Sequence, residues 1–386
     1  MIPYGRQDVD EADVRAVVEV LRSDFLTQGP VVPRFEAAMT TYCGAGHAVA
    51  TNSATSALHV ACLALGVGLG DRVWTSAVTF LASANCARYC GAEVDFVDID
   101  PQTCNMSVED LARRLEQAER AGKLPKVVIP VHLGGQSCDM AAIHALSQRY
   151  GFHIVEDASH AVGGRYRDES VGSCRYSDVV VFSFHPVKII TTAEGGMALT
   201  NHAALARRMR LFASHGMTRD VGEMTKASDG PWYYQQIELG YNYRLTELQA
   251  ALGLSQMLRL DEFVARRHAI ARRYDELLAP LPVTPVVQHP DCYSGLHLYV
   301  IRLQLERLRR SHREVFELLR AAGIGVNLHY IPVYLQPYYQ RLGFRAGHCP
   351  NAENYYSRAI SIPMYAQLDA AKQDAVVAAL LRATLE

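Results

Sequence analysis

The chain has 386 residues, 49% of them hydrophobic and 20% charged, the make-up of a soluble globular protein with material for two cores. Its net charge of −2 gives no electrostatic ground for nucleic acid or an anionic membrane as partner. No apolar run approaches the ~18 residues that cross a bilayer, the first residues show no secretory pattern, and nine cysteines lie scattered, so a cytoplasmic protein with reduced thiols is expected.

From Asp8 to Leu21, apolar residues recur at helical spacing (Val14, Val17, Val18, Leu21) and predict a first helix. Phe25–Pro30 reads as a polar turn. A second helix is predicted from about Pro33, with Phe35, Met39 and Tyr42 on its apolar face. His47–Thr51 reads as a strand, Asn52–Ser56 as a small-hydroxyl turn, and Leu58, Cys62 and Leu65 mark a helix. Such a unit suits an anion, because N–H groups at a helix N-terminus point outward and Ser and Thr hydroxyls add donors. The plainer possibility is that Ser53 only caps the helix.

Arg72–Thr75 and Glu93–Asp98 read as strands, Phe80–Tyr89 as a helix, and Ser107–Ala121 as a serine-capped helix. Lys126–Val131 is an apolar strand, Met140–Tyr150 a helix, and Phe152–Val155 a strand ending in Glu156-Asp157. Strands alternating with helices predict an α/β fold, a mostly parallel sheet covered on both faces. Val179–Phe184 is an apolar, β-branched run that predicts another buried strand. After it come His185, Lys188, Thr191, Thr192, Gly195 and Gly196. A lysine at a strand end can form a Schiff base with a carbonyl once burial lowers its pKa.

Met217–Gln236 reads as a long functional loop. Leu245–Leu278 is a single helical pattern leading to a smaller C-terminal α/β unit. Its predicted strands are Leu298–Leu303 and Val326–His329, its helices Glu314–Ala322 and Ala370–Leu381. The expected division is a large domain over residues 1–245, with the N-terminal segment, and a smaller one over 246–386. No HExxH-type spacing occurs among the histidines, and no metal is expected.

Ligands of such sheets bind at the carboxyl ends of the strands. Ser53–Thr55, Asp157 and Lys188 all fall there and supply a phosphate cradle, a carboxylate and an amine. Pyridoxal 5'-phosphate needs this set: donors for its phosphate, a carboxylate that keeps its ring nitrogen protonated, and a lysine for its aldehyde. Phe80 lies after a strand end and could stack on the ring. His160, three residues past Asp157, could orient the carboxylate. The plainer readings are core packing for Phe80 and a helix-side position for His160.

These residues sit in longer segments: LTQG at Leu26–Gly29, TNSATSAL at Thr51–Leu58, TFLASAN at Thr79–Asn85, EDASHA at Glu156–Ala161, FSFHPVKIITTAEGG, SHG at Ser214–Gly216, GYNYRLTELQAALG at Gly240–Gly253 and HYIPVY at His329–Tyr334. In this order and spacing the chain resembles the DegT/DnrJ/StrS sugar-nucleotide aminotransferases, fold type I pyridoxal phosphate enzymes, nearly end to end. NSATSAL, SHA after the aspartate and the segment around Lys188 are most similar to the pseudaminic acid pathway branch, which acts on a UDP-4-keto-6-deoxy-N-acetyl-altrosamine. Many relatives carry Gln where His160 stands and Gly where Ala193 stands.

The resemblance implies roles at matching positions. Lys188 would be the catalytic lysine, Asp157 the partner of the ring nitrogen, and His160 the support of that carboxylate. Ser53, Ala54, Thr55 and Ser183 would hold the phosphate, and Phe80 would stack on the ring. Asn242 would reach the phosphate of the neighbouring subunit in a homodimer with shared sites. Tyr4, Leu26, Thr27, His329 and Tyr330 would contact the sugar nucleotide. The implied reaction is a ping-pong transamination from glutamate to C4 of a UDP-linked keto-sugar; GDP- or dTDP-linked sugars are alternatives. A dehydratase of the same family would carry histidine in place of Lys188. A silent regulator would lack Lys188 or Asp157. An amino-acid lyase of this fold type would lack the LTQG and HYIPVY segments.

Overall fold

The computed structural model describes residues 1–385. Seven strands form the central sheet: β1 (His47–Thr51), β2 (Arg72–Ser76), β3 (Glu93–Val97), β4 (Val127–Ile129), β5 (His153–Asp157), β6 (Val179–Ser183) and β7 (Gly196–Thr200). Their spatial order is β1-β7-β6-β5-β4-β2-β3. Only β7 is antiparallel to its neighbours. The carboxyl ends of β1, β5 and β6 therefore share one edge, which brings Asn52–Ser53, Asp157 and Ser183 together. Every residue of β6 and β7 is buried, so the run Val179–Phe184 shows no polar alternation.

Helices cover both faces. Among them are α1 (Glu11–Leu21), α2 (Val31–Cys43), α3 (Ala54–Ala64) and α4 (Ala82–Tyr89), the last two lining the site. Asp10 and Asp13 form a capping box on α1, which starts it later than the periodicity suggests. One core on the sheet includes Leu58, Phe96 and Val181. A separate core unites Tyr274, Ile301, Ile360 and Leu380 under an antiparallel sheet, Val283–Pro285, Tyr299–Leu303 and Ala359–Ile362. The N-terminal segment is sewn to this C-terminal part: Ile2 N–H donates to Gly323 O (2.8 Å), and Gly325 N–H donates to Ile2 O (2.7 Å).

Two elements differ from expectation. The pattern Leu245–Leu278 is broken into Glu247–Met257 and Leu260–Leu278. Arg259 leaves helical backbone (φ −112°, ψ 5°) and its guanidinium reaches Asp8 and Asp13. Val326–His329 makes no strand: only Asn327 bridges to Ser361. Its side chains turn inward instead, His329 Nδ1 lying 2.8 Å from Ser361 Oγ. The loop after Met217 closes on itself through Met217–Thr218 and Gln235–Gln236, with Trp232 exposed just before the closing strand. Among the described residues no helix is long and apolar enough to cross a membrane, and no cluster of three His, Cys, Asp or Glu side chains is placed to hold a metal ion.

Candidate active site

A cavity of about 800 Å³ opens at the carboxyl edge of the sheet, between it and the C-terminal part. Its floor is Lys188, Asp157 and Ser183; one wall is Ser53, Ala54 and Thr55; the opposite wall is His160, His329 and Tyr330, with Tyr4 and Phe80 at its sides.

The cradle is built by the turn from β1 into α3. Ser53 caps the helix, its Oγ accepting from Ser56 N–H at 3.1 Å. The Ala54 and Thr55 N–H groups thus stand at a helix N-terminus, without intrahelical partners. The register sets Gly196 opposite both Thr51 and Ser183. A Cβ there would lie 2.4 Å from both Ser53 C and Ala54 N. The turn can press onto β7 only because residue 196 has no side chain. Ala193, in the preceding turn, has φ 66°, the left-handed region that glycine fills more cheaply.

Asp157 ends β5 and is buried. Its Oδ2 accepts from Ser83 Oγ at 2.6 Å and its Oδ1 from Ser159 N–H at 3.1 Å. Ser83 in turn lies 2.7 Å from Thr79 Oγ1. His160 does not hold this carboxylate, contrary to expectation. Its Nδ1 accepts from Gly134 N–H at 3.3 Å, and its Nε2 lies 3.2 Å from Tyr330 Oη. An accepting Nδ1 leaves the proton on Nε2, so His160 donates to Tyr330 and keeps that hydroxyl's own proton free for a ligand.

Burial lowers the Lys188 pKa to about 8, partly opposed by the Asp157 charge. At pH 7 about one amine in ten is then neutral, against about one in three thousand at the ordinary value. Burial, and then the nearby Lys188 charge, hold His160 well below the usual imidazole range and His329 at about 3. Burial also raises the Tyr330 phenol. The lysine thus faces neutral hydrogen-bonding groups. Phe80 is not core: the residue is 57% exposed, and its ring lies 6.0 Å from the Tyr330 ring.

Three expected residues stand outside this cavity. Leu26 and Thr27 lie on the surface beside the start of Glu247–Met257, Leu26 O accepting from Glu247 N–H. Asn242 is exposed, with its backbone bridged to Ser214. It does not cap the following helix, because Thr246 does. Residues that sequence reasoning passed over include Ser83, Asn327 and His297, all buried or half-buried. Ser83 lay inside the TFLASAN segment; nothing local marked His297.

Comparison with known proteins agrees with this geometry. Residues 7–381 match the model of the DegT/DnrJ/EryC1/StrS aminotransferase family. The spore coat polysaccharide biosynthesis protein SpsC of Bacillus subtilis is 39% identical over 98% of this chain and 96% of its own length. The UDP-4-amino-4,6-dideoxy-N-acetyl-beta-L-altrosamine transaminase of Campylobacter jejuni is 37% identical over 96% and 94%. The solved structure of Helicobacter pylori PseC, an aminotransferase of pseudoaminic acid biosynthesis, superposes with a TM-score of 0.90 at 30% identity, covering 99% of each chain. A sugar aminotransferase from Streptococcus pneumoniae with the same fold is known in a pyridoxal phosphate form.

The residues present fit that group. The helix-end cradle, floored by a glycine that admits no Cβ, suits a phosphate; the buried Asp157 suits a protonated ring nitrogen; the depressed Lys188 amine suits an aldehyde. The chain belongs to the DegT/DnrJ/EryC1/StrS family and is a pyridoxal-phosphate-dependent sugar aminotransferase.

Proposed function

We propose that the protein moves an amino group from glutamate to C4 of a UDP-linked 4-keto-6-deoxy-N-acetylhexosamine, in the making of a pseudaminic-acid-type nucleotide sugar. The observation that carries this reading is the wall facing Lys188. Tyr4, Asn327, His329 and Tyr330 offer neutral hydrogen-bonding groups there. That wall suits the hydroxyl and carbonyl oxygens of a sugar ring, which donate and accept hydrogen bonds without charge. The named activities of the Campylobacter and Helicobacter relatives support the same choice.

Bound pyridoxal phosphate supplies an electron sink that makes the proton on the attached carbon removable. Ser53, Ala54, Thr55 and Ser183 would hold its phosphate, Asp157 its ring nitrogen, and Phe80 its face. Asp157, fixed by Ser83, would keep that nitrogen protonated. Lys188, released from its covalent bond, would take the proton from the donor's Cα, and in the second half-reaction deliver one to C4 of the sugar. One amine thus serves as anchor and as acid and base.

The test is incubation with glutamate and a panel of UDP-, GDP- and dTDP-linked 4-keto-6-deoxy sugars, with amino-sugar product read by mass spectrometry. The UDP-linked N-acetylhexosamine is expected to turn over fastest. Preference for a GDP- or dTDP-linked sugar would favour the second reading, an aminotransferase for another nucleotide sugar, which the similarity to a spore coat polysaccharide protein keeps in view.

A further inference from the structure

Arg267, on the helix Leu260–Leu278, is 2% exposed. Its recorded hydrogen bonds all go to main-chain carbonyls. Nη1 donates to Leu296 O at 3.1 Å, His297 O at 3.3 Å and Met364 O at 3.1 Å, while Nε is buried without a partner. A buried cation with no carboxylate beside it is costly, and an apolar side chain of similar volume would fill the space without that cost. What the guanidinium holds is therefore the question.

Both segments it holds run into the cavity. His297 lines the cavity and lies against the His160 ring, centroids 4.5 Å apart. Its Nδ1 is buried and unpartnered, which leaves Nε2 as the nitrogen that can bind, with no partner recorded inside the chain. Burial and the Lys188 charge keep the ring neutral, so it suits a hydroxyl or carbonyl oxygen. On the other side, Met364 N–H donates to Tyr4 O at 2.9 Å, and the Tyr4 ring lies 5.3 Å from that of His329.

We propose that Arg267 is a positioning residue for the sugar side of the cavity: it fixes the main chain of His297 and, through Met364, that of Tyr4, so that both side chains meet the oxygens of the nucleotide sugar. The inference rests on the sugar-aminotransferase reading and adds His297 to the residues that touch substrate.

The experiment compares wild type with Arg267→Met, Arg267→Lys, His297→Ala and the Arg267→Met/His297→Ala double variant. Binding of a UDP-linked 4-keto-6-deoxy-N-acetylhexosamine to cofactor-free protein is measured by calorimetry; the glutamate and sugar half-reactions are measured separately on loaded protein. Arg267→Met is expected to weaken sugar binding and raise its KM about tenfold, while the glutamate half-reaction slows less than about threefold. Arg267→Lys, which keeps the charge but lacks the planar fork, should fall between. His297→Ala should show the same split, and the double variant should lose more than His297→Ala alone, through Tyr4, but clearly less than the product of the two single losses, because part of what Arg267 does runs through His297. Equal loss in both half-reactions, strict additivity, or unchanged sugar binding would overturn the proposal. Should the methionine variant fail to fold, the lysine and His297→Ala variants decide it by the same criteria. Wild type that binds no nucleotide keto-sugar would overturn the underlying reading as well, an outcome visible before any variant is measured.

Discussion

Lowering the Lys188 amine to about 8 has a kinetic signature. Capture of pyridoxal phosphate by the cofactor-free protein should quicken about tenfold per pH unit up to about pH 8 and then level, because the neutral amine is the nucleophile. An ordinary lysine would keep quickening toward 10.5. Stopped-flow absorbance between pH 6 and 10 separates the two, and Lys188→Ala should show no covalent yellow species at all. Asp157→Asn should keep the fold and lose on the order of 10²-fold or more in turnover, because an amide does not stabilise a protonated ring nitrogen. Ser83→Ala removes the 2.6 Å bond to Asp157 and should cost about tenfold in kcat/KM, the effect of one bond to a charged group. Near-normal turnover in both would point to another carboxylate. The carboxylate and the lysine could be read in the sequence because strand ends and residue types mark them. Their surroundings could not: Ser83 reaches Asp157 from 74 residues earlier in the chain, and His160, three residues past Asp157, turns to Gly134 and Tyr330 instead, contacts that spacing does not specify.

The turn from β1 into α3 is the element that fixes the phosphate cradle, and its weak point is on a different strand. Gly196→Ala would put a Cβ 2.4 Å from Ser53 C and Ala54 N, inside any allowed contact, so the turn must lift. Cofactor affinity should fall about a hundredfold, the cost of misplacing a set of preorganised donors, with a much smaller change in the denaturation midpoint. Fluorescence titration with pyridoxal phosphate against a urea melt measures both; equal affinity would show that the cradle tolerates the shift. Elements with a strong period were legible, such as the buried strand β6 and the helix after Ser53. The break near Arg259 was not, because both halves keep helical apolar spacing and the kink is set by carboxylates on the distant Asp8 and Asp13. Val326–His329 misled because its apolar alternation serves a cavity wall rather than a sheet face.

At the scale of the molecule, the open matter is what covers Asn242, which is exposed and outside the cavity of its own chain. We propose a homodimer in which Asn242 would complete the partner's phosphate site, and C2 symmetry would then place two such sites on one interface. Mixing Lys188→Ala subunits with Asn242→Ala subunits and allowing exchange should restore part of the activity, since each heterodimer then holds one intact site. If Asn242 acts within its own chain, every site keeps one lesion and mixing restores nothing. No residue pattern within one chain reports a neighbour's contribution, which is why the resemblance, and not the spacing, suggested it.

The pairing of Ile2 with Gly323 and Gly325 fixes the first residues on the C-terminal part, two residues before Tyr4, which lines the cavity. Anything fused to Met1 would be held three residues from Tyr4 of the cavity wall, whereas among the described residues the helix Ala370–Leu385 contributes nothing to the cavity lining. An amino-terminal affinity tag should therefore raise the KM for the nucleotide sugar severalfold, and a carboxyl-terminal one should leave it alone. Two purifications of the same enzyme that differ only in the end chosen for the tag would yield different constants, and cleavage of the amino-terminal tag should reconcile them.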